Sequence, residues 1–169
     1  MSRRLEGSSG NDEIQTPDYL YQNLDNSFTF TLDAFASHEN AKTDTYCTKD
    51  GIWQRCTVVE CAYPAHIIDP TDGFTTSWAG DVVFANPPYS MLMKAAAKFE
   101  SEVDNARWIA MLVKWDHSTK WAQRLMECAI IVSLPKRVKY VHPDPPPGWG
   151  GASFPSALAF PRKDWLKDD

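Results

Sequence analysis

The sequence predicts an α/β fold with a mostly parallel sheet and an antiparallel edge. The first observation is a strand, turn and helix in succession: apolar residues 81–85 run into Asn86-Pro87-Pro88-Tyr89, and a helix is predicted over residues 91–102. Proline cannot donate a backbone hydrogen bond and pushes the preceding residue out of the α region, so the strand must end at Asn86. The second observation is that helix and strand patterns alternate until a final run of strands, which favours such a sheet.

The elements ahead of this turn are a helix and a strand. Thr16-Pro17 predicts a helix start, with threonine as the N-cap and proline at the first helical position. Residues 28–32 alternate apolar and polar side chains, which predicts a strand. Residues 33–37 follow at its carboxyl end, where open α/β sheets bind their ligands.

The elements after the turn are three strands and one helix, followed by a loop and a closing strand. A strand is predicted over residues 107–113, and the next helix is predicted to be capped by Asp116 or Ser118 and to end at Cys128. The remaining predictions are strands over 129–134, 136–141 and 156–160 and a loop over 143–151.

Length and composition predict one folded domain over residues 12–169, behind a polar tail at residues 1–11 that is expected to be disordered. No apolar run approaches the length of a membrane span, and no signal-peptide pattern opens the sequence. The four cysteines are irregularly spaced and do not predict a disulfide framework, so a reducing cytoplasm is expected.

Residues 46–71 resist assignment and are interpreted as an insertion, either a target-recognition element or a surface loop. They contain Cys47, Cys56, Cys61 and His66, which suggest a metal site. These residues lack the closely spaced cysteine pair that forms most zinc sites, so no metal is predicted. Within the same stretch, residues 57–60 are typical of a strand that ends in an acid, Glu60.

The distribution of charge matters more than the net charge of −5. Residues 114–140 carry only two acidic side chains, Asp116 and Glu127, against six basic ones: Lys114, Lys120, Arg124, Lys136, Arg137 and Lys139. A basic stretch just downstream of the turn fits contact with a nucleic-acid backbone. A solvated basic face is the alternative.

Asn86-Pro87-Pro88-Tyr89 suits transfer of a group to a weakly nucleophilic, planar amino nitrogen. The side-chain oxygen of Asn86 and the backbone oxygen of Pro87 are acceptors that can hold the two N–H groups and aim the nitrogen lone pair at an electrophile. Tyr89 offers a flat face on which a heterocycle can stack. The alternative is an ordinary proline-rich turn capped by an asparagine.

This tetrapeptide resembles the catalytic motif of amino-group methyltransferases that use S-adenosylmethionine. The flanking sequence is similar to the phage-type DNA N6-adenine methyltransferase (Dam) family. The similar segments occur in the family's order over most of residues 12–160: Gln15-Thr16-Pro17-Asp18-Tyr19-Leu20, residues 30–37, Glu39-Asn40-Ala41-Lys42, Asp72-Gly73-Phe74, Trp78-Ala79-Gly80, the tetrapeptide, and Phe154-Pro155-Ser156-Ala157.

The resemblance implies a three-layer, Rossmann-like methyltransferase fold and methyl transfer from S-adenosylmethionine to N6 of a flipped-out adenine in double-stranded DNA. It implies catalytic roles for Asn86, Pro87, Pro88 and Tyr89. For the cofactor it implies Thr16, Pro17, Asp33, Phe35, Ala36, Ser37 and Asn40. Together with the basic stretch it suggests DNA contacts by Lys114, Ser118, Lys136, Arg137 and Lys139. Such enzymes serve phages and restriction-modification systems in the bacterial cytoplasm, without an obligate protein partner.

Several alternatives stay open from the sequence. The Asn-Pro-Pro-Tyr geometry also suits an adenine in RNA, an exocyclic amine of another base, or the side-chain amide of a glutamine in a protein. Most cofactor loops of this superfamily contain glycines, whereas Ala36, Ser37 and His38 stand there in this chain. A loop that does not hold the cofactor would leave a non-catalytic DNA-binding or cofactor-binding module.

Overall fold

The computed structural model describes residues 12–56, 65–151 and 154–163. Within these ranges the helices are α1 (Asp18–Phe28), α2 (Leu92–Glu102) and α3 (Lys120–Cys128), with a 3₁₀ turn at Tyr89–Met91. The strands are β1 (Leu32–Asp33), β2 (Thr45–Thr48), β3 (Gly51–Arg55), β4 (Ala65–Asp69), β5 (Val82–Ala85), β6 (Trp108–Lys114), β7 (Ala129–Ser133) and β8 (Ser156–Pro161). No helix among the described residues is both long and apolar enough to cross a membrane.

The eight strands of the described residues form one sheet in the order β4-β3-β2-β1-β5-β6-β8-β7. Strand β1 pairs parallel with both β2 and β5, and β5 pairs parallel with β6. The remaining pairings are antiparallel, so both edges of the sheet are antiparallel. The expectation of a mostly parallel sheet is therefore corrected: the parallel part is the centre alone. Strand β1 lies between β2 and β5, so the order of the strands reverses at β1. Open α/β sheets bind ligands in the crevice at such a reversal.

Residues 46–71 contribute most of the second antiparallel edge. Tyr46 pairs with Trp53 across β2 and β3, and Trp53 pairs with Ile67 across β3 and β4. The predicted strand at residues 57–60 lies outside the described residues. Among the residues that the structure describes, no group of three or more metal-ligating side chains comes together. Cys56 is disulfide-bonded, against the expectation, whereas Cys47 and Cys128 are free thiols.

The start of the first helix differs from the prediction. Pro17, not Thr16, is the N-cap residue, and α1 begins at Asp18 without a side-chain cap. The helix then continues to Phe28, and Thr29 ends it with a left-handed φ of 55°. The predicted strand at residues 28–32 is consequently reduced to Leu32–Asp33, because the α1 termination occupies the residues ahead of it.

Two elements in the second half also differ. Thr119 caps α3 by accepting a hydrogen bond from the Ala122 N–H, whereas Asp116 accepts hydrogen bonds from the N–H and hydroxyl of Ser118. Residues 136–141 form no strand, although Val138 and Tyr140 are buried and their basic neighbours are exposed. Within this stretch only Val141 makes a β-bridge, and its partner is Gln15. The alternation of buried and exposed side chains therefore arises from the packing of a loop and not from a strand.

Two clusters of buried side chains flank the central strands. The larger contains Val83 and Ala85 of β5 with Ala95 and Phe99 of α2. The other contains Val82 and Phe84 of the same strand together with Tyr21 of α1. Alternate β5 side chains thus enter different clusters, which explains why the whole strand is apolar.

Candidate active site

The turn after β5 is held between a buried strand and a buried helix face. All four residues of β5 are buried, Pro87 is fully buried, and the 3₁₀ turn leads directly into α2. This packing fixes Asn86 at the carboxyl end of β5. Its Oδ1 atom is buried and has no hydrogen-bond partner. A buried acceptor without a donor costs free energy, so this oxygen is well placed to receive a ligand N–H.

A cavity of about 670 Å³ opens beside this turn, at the carboxyl ends of β1 and β5. Of the residues predicted to bind the cofactor, all but Pro17 line it: Thr16, Asp33, Phe35, Ala36, Ser37 and Asn40. From the predicted catalytic turn, Asn86 and Pro88 line it as well. The structure therefore brings the two predicted groups of residues into one cavity. Pro17, Pro87 and Tyr89 are not among its lining residues.

Three residues of this cavity carry buried polar atoms that lack a partner: Thr16 Oγ1, Asp33 Oδ1 and Asn86 Oδ1. The other carboxylate oxygen of Asp33 accepts a hydrogen bond from the Lys42 N–H at 3.0 Å. Burial raises the pKa of Asp33 to about 6, although the backbone N–H groups of Lys42 and Phe35 and the charge of Lys42 oppose that rise. The free Oδ1 suits a cationic donor group of a ligand, because a nearby positive charge stabilises the carboxylate.

The glycine-poor loop after β1 is closed by its own side chains. The Ser37 N–H donates to Asn40 Oδ1 at 2.7 Å, and the Asn40 N–H donates to Ser37 Oγ at 3.3 Å. The Ala36 N–H donates to the Cys47 carbonyl at 2.8 Å. These bonds satisfy the loop's backbone groups in place of a glycine-rich turn. Ser37 and Asn40 therefore shape the cavity wall as well as lining it.

Several further segments line the cavity and were not predicted as site residues, among them those that contain Gly73 and Asp50. Gly73 approaches β1 so closely that a Cβ atom there would lie 1.8 Å from the Ala34 carbonyl oxygen. This close approach sets the Phe74 ring 4.6 Å from that of Phe35. Asp50 follows the carboxyl end of β2, beside β1, and also lines the cavity. Sequence reasoning missed Asp50 because the strand that precedes it was not predicted.

Tyr89 lies inside the protein rather than on the cavity wall. Its ring is 9% exposed and meets Phe154 edge-on, at 5.4 Å between centroids. Its hydroxyl donates to the Tyr140 hydroxyl at 2.8 Å. Burial raises the pKa of Tyr89 well above its usual value. A hydroxyl in this environment does not ionise near neutral pH and is poorly suited to act as a general base.

The basic residues predicted to contact DNA lie at the same edge of the sheet as the cavity. Strand β7 runs in the direction of β6, since both pair antiparallel with β8, so the loop at residues 134–141 starts at the edge where β5 and β6 end. The predicted residues Lys136, Arg137 and Lys139 are exposed on that loop. The loop ends at Val141, which exchanges two hydrogen bonds with Gln15, the neighbour of Thr16.

The other two predicted DNA contacts are placed differently. Lys114 ends β6, and its Nζ lies over the ring of Phe154, 5.2 Å from the centroid. Ser118 is engaged by Asp116, to which its hydroxyl donates at 2.6 Å. Lys114 therefore stands next to the aromatic group around Tyr89, whereas Ser118 stabilises the turn before α3.

Comparison with known proteins assigns this architecture to a family. No curated protein sequence matches the chain. The family model described as DNA N-6-adenine-methyltransferase (Dam) matches residues 59–153, which is 95 of the 169 residues. The match spans Asn86-Pro87-Pro88-Tyr89 and the basic loop, and it supports adenine methylation of DNA. The chain belongs to the DNA N-6-adenine-methyltransferase (Dam) family.

Proposed function

We propose that this protein transfers a methyl group from S-adenosylmethionine to N6 of an adenine that has been flipped out of double-stranded DNA. The observation that supports the proposal best is the unpartnered, buried Oδ1 of Asn86 in a cavity that also contains the unpartnered Oδ1 of Asp33. One oxygen suits the amino group of the acceptor base, and the other suits the ammonium group of the cofactor. An adenine must leave the duplex to reach such a cavity.

Asn86 and the carbonyl of Pro87 are proposed to hold the two N–H groups of the adenine amine. Two acceptors favour a tetrahedral nitrogen whose lone pair points at the methyl group. S-Adenosylmethionine, when bound, supplies that methyl group as an electrophile on a sulfonium. The amino nitrogen loses its proton after it has become cationic, so the chain needs no strong base at this position. That requirement agrees with the hydrogen-bonded, un-ionised Tyr89.

The cavity suits the proposed cofactor in size and in donor set. Its volume of about 670 Å³ lies within the range of small-molecule sites. Asp33 is proposed to bind the ammonium group, with Thr16 and Asn40 at the same end. Asp50, at the carboxyl end of β2, is proposed to accept the ribose hydroxyls. We assign Phe35 to the adenine ring of the cofactor, with Phe74 packed against it.

We propose that this enzyme has a three-layer fold, with helices packed on both faces of the sheet. Because successive strand side chains point to opposite faces, the two clusters around β5 lie on opposite sides of it. One side holds α1 and the other α2, as in a three-layer, Rossmann-like methyltransferase. A bacterial or phage-infected cytoplasm, and a role for a phage or a restriction-modification system, remain parts of the proposal.

The proposal is tested by cofactor titration and by protection from cleavage. Calorimetric titration with S-adenosylmethionine should show saturable binding, and absence of binding would contradict the proposed cofactor. DNA incubated with enzyme and cofactor should then resist restriction enzymes that are blocked by N6-methyladenine. If the protein binds the cofactor but no adenine-containing site in the DNA becomes resistant to cleavage, a non-catalytic module would be favoured.

Replacing Lys136 and Arg137 with alanine should weaken DNA binding at every sequence. Both side chains are exposed on the loop at the cavity edge, where they suit contact with phosphates. The slope of log affinity against log salt concentration should decrease by roughly one to two units, as expected when one or two phosphate contacts are lost. Fluorescence anisotropy at several salt concentrations measures the slope. If the salt dependence of DNA affinity is unchanged, Lys136 and Arg137 do not contact phosphates and belong to a solvated surface.

Substitution of Tyr89 separates a ring contact from hydroxyl chemistry. If the Tyr89 ring, which is buried in the free protein, becomes exposed to the flipped base when DNA binds, Tyr89→Phe should retain most of the activity. Tyr89→Ala should lose on the order of 1–3 kcal/mol of base binding, the range for one base–aromatic stack. Steady-state kinetics of both variants on one adenine-containing duplex measure the difference. Equal losses in the two variants would contradict a stacking role.

A further inference from the structure

Tyr140 is an anchor of the basic loop at residues 134–141. Lys136, Arg137 and Lys139 are exposed, whereas Val138 is 4% exposed and Tyr140 is 3% exposed. These residues form no strand, so inward-facing side chains fix their direction. The loop therefore has a basic outer face and an inner face that packs on the core.

The inner face meets the catalytic turn at Tyr89. The Tyr89 hydroxyl donates to the Tyr140 hydroxyl at 2.8 Å, and the two rings lie edge-on with centroids 6.2 Å apart. Phe154 contacts both rings, at 5.4 Å from Tyr89 and 5.7 Å from Tyr140. Tyr89 is thus enclosed from the side of the basic loop.

The far end of this contact is fixed to the sheet. The Tyr140 hydroxyl lies 2.9 Å from Ser156 Oγ, and Ser156 pairs with Lys114 in the β6–β8 ladder. The Leu134 N–H, at the beginning of the loop, donates to the Ser156 carbonyl at 3.0 Å. Three buried hydroxyls therefore link a rigid strand to Tyr140 and then to the turn that carries Asn86.

We infer that Tyr140 is a positioning residue for methyl transfer. Its hydroxyl fixes the Tyr89 ring, and therefore the catalytic turn, relative to the basic loop that is proposed to contact DNA. The inference rests on the proposed function. Tyr140 is not among the residues that line the cavity. Its loss should therefore reduce kcat on DNA and leave cofactor affinity unchanged.

The two phenylalanine substitutions have unequal effects in this arrangement. Tyr140→Phe leaves the buried Tyr89 hydroxyl without its acceptor, and a buried donor without a partner is costly, so the turn shifts. Tyr89→Phe removes that donor and leaves Tyr140 bonded to Ser156. Removing both partners of a buried hydrogen bond costs less than removing one. The double variant should therefore recover activity that Tyr140→Phe loses.

A double-mutant cycle on kcat tests this directly. Wild type, Tyr89→Phe, Tyr140→Phe and the double variant are compared at saturating S-adenosylmethionine on one duplex substrate. We expect kcat to fall about twofold for Tyr89→Phe and about threefold to tenfold for Tyr140→Phe, with the double variant between the two because Ser156 still lacks its partner. The dissociation constant for S-adenosylmethionine should stay within about twofold of wild type in all four proteins.

Tyr46→Phe is the matched control, because Tyr46 is also buried, its hydroxyl lies 2.9 Å from His38 Nδ1, and Tyr46 is not among the residues that line the cavity. It should keep the wild-type kcat.

If Tyr140→Phe does not fold, Ser156→Ala tests the same link from its far end and should also reduce kcat at unchanged cofactor affinity. Multiplicative losses in the double variant, or a kcat unchanged by Tyr140→Phe, would overturn the inference. A wild type that transfers no methyl group to DNA would overturn the proposed function itself.

Discussion

Asn86→Ala should abolish methyl transfer, with kcat reduced by about 10²-fold or more, while cofactor affinity stays within about threefold of wild type. The expectation follows from the buried Oδ1 of Asn86, which has no partner within the protein and is free to accept the adenine amine. Alanine removes that acceptor but leaves the two prolines that shape the turn. Initial rates of labelled methyl transfer, together with calorimetry of the cofactor, measure the two effects separately.

Asn105→Ala is the matched control for this variant. Asn105 is exposed, and its side-chain amide donates to the Ser101 carbonyl. It lies ahead of β6, at the opposite end of the parallel strands from the catalytic turn. Its loss should leave both kcat and cofactor affinity unchanged. Near-normal transfer by Asn86→Ala would show that another residue orients the amine and that the proposed catalytic turn is wrong.

The second large effect concerns Asp33 and pH. Burial raises the pKa of Asp33 to about 6, so the carboxylate that is proposed to bind the cofactor ammonium is mostly protonated at pH 5 and mostly ionised at pH 7. The cofactor cation requires the ionised form, and affinity should therefore increase as pH rises through 6. Wild-type affinity should improve about tenfold between pH 5 and pH 7, as calorimetry at several pH values can measure.

Asp33→Asn keeps the size of the side chain and removes its charge. It should weaken cofactor binding about 10- to 100-fold at pH 7 and lose the wild-type dependence on pH, because a charge-assisted hydrogen bond is replaced by a neutral one. The exposed Asp104→Asn is the matched control. An Asp33→Asn variant with wild-type affinity would exclude Asp33 from the cofactor site.

The strand, turn and helix around Asn86 could be predicted because local rules and tertiary structure agree there. Two prolines end the strand wherever it lies, and the apolar run of β5 is buried on both sides. The fold class and the place of the cavity follow from this element and from its order in the chain. The family resemblance implied a place for Asp33 in the cofactor site. In the structure Asp33 ends β1 and Asn86 follows β5, and both line one cavity.

Other features depend on contacts between distant residues. The antiparallel edge at β2, β3 and β4 is set by pairing that no short pattern specifies, and Asp50 was missed for that reason. Residues 136–141 alternate like a strand, but they pack as a loop because Val138 and Tyr140 are buried against other elements. The burial of Tyr89 against Tyr140 and Phe154 joins three separate segments of the chain. Sequence spacing contains no signal for it.

The most direct test of the central claim is transfer of labelled methyl from S-adenosylmethionine to DNA, RNA and protein in parallel, followed by digestion and analysis of the products. We expect label in DNA alone, recovered as N6-methyladenine, and no label in DNA treated with Asn86→Ala. Label in another base, in RNA or in a glutamine amide would contradict that claim.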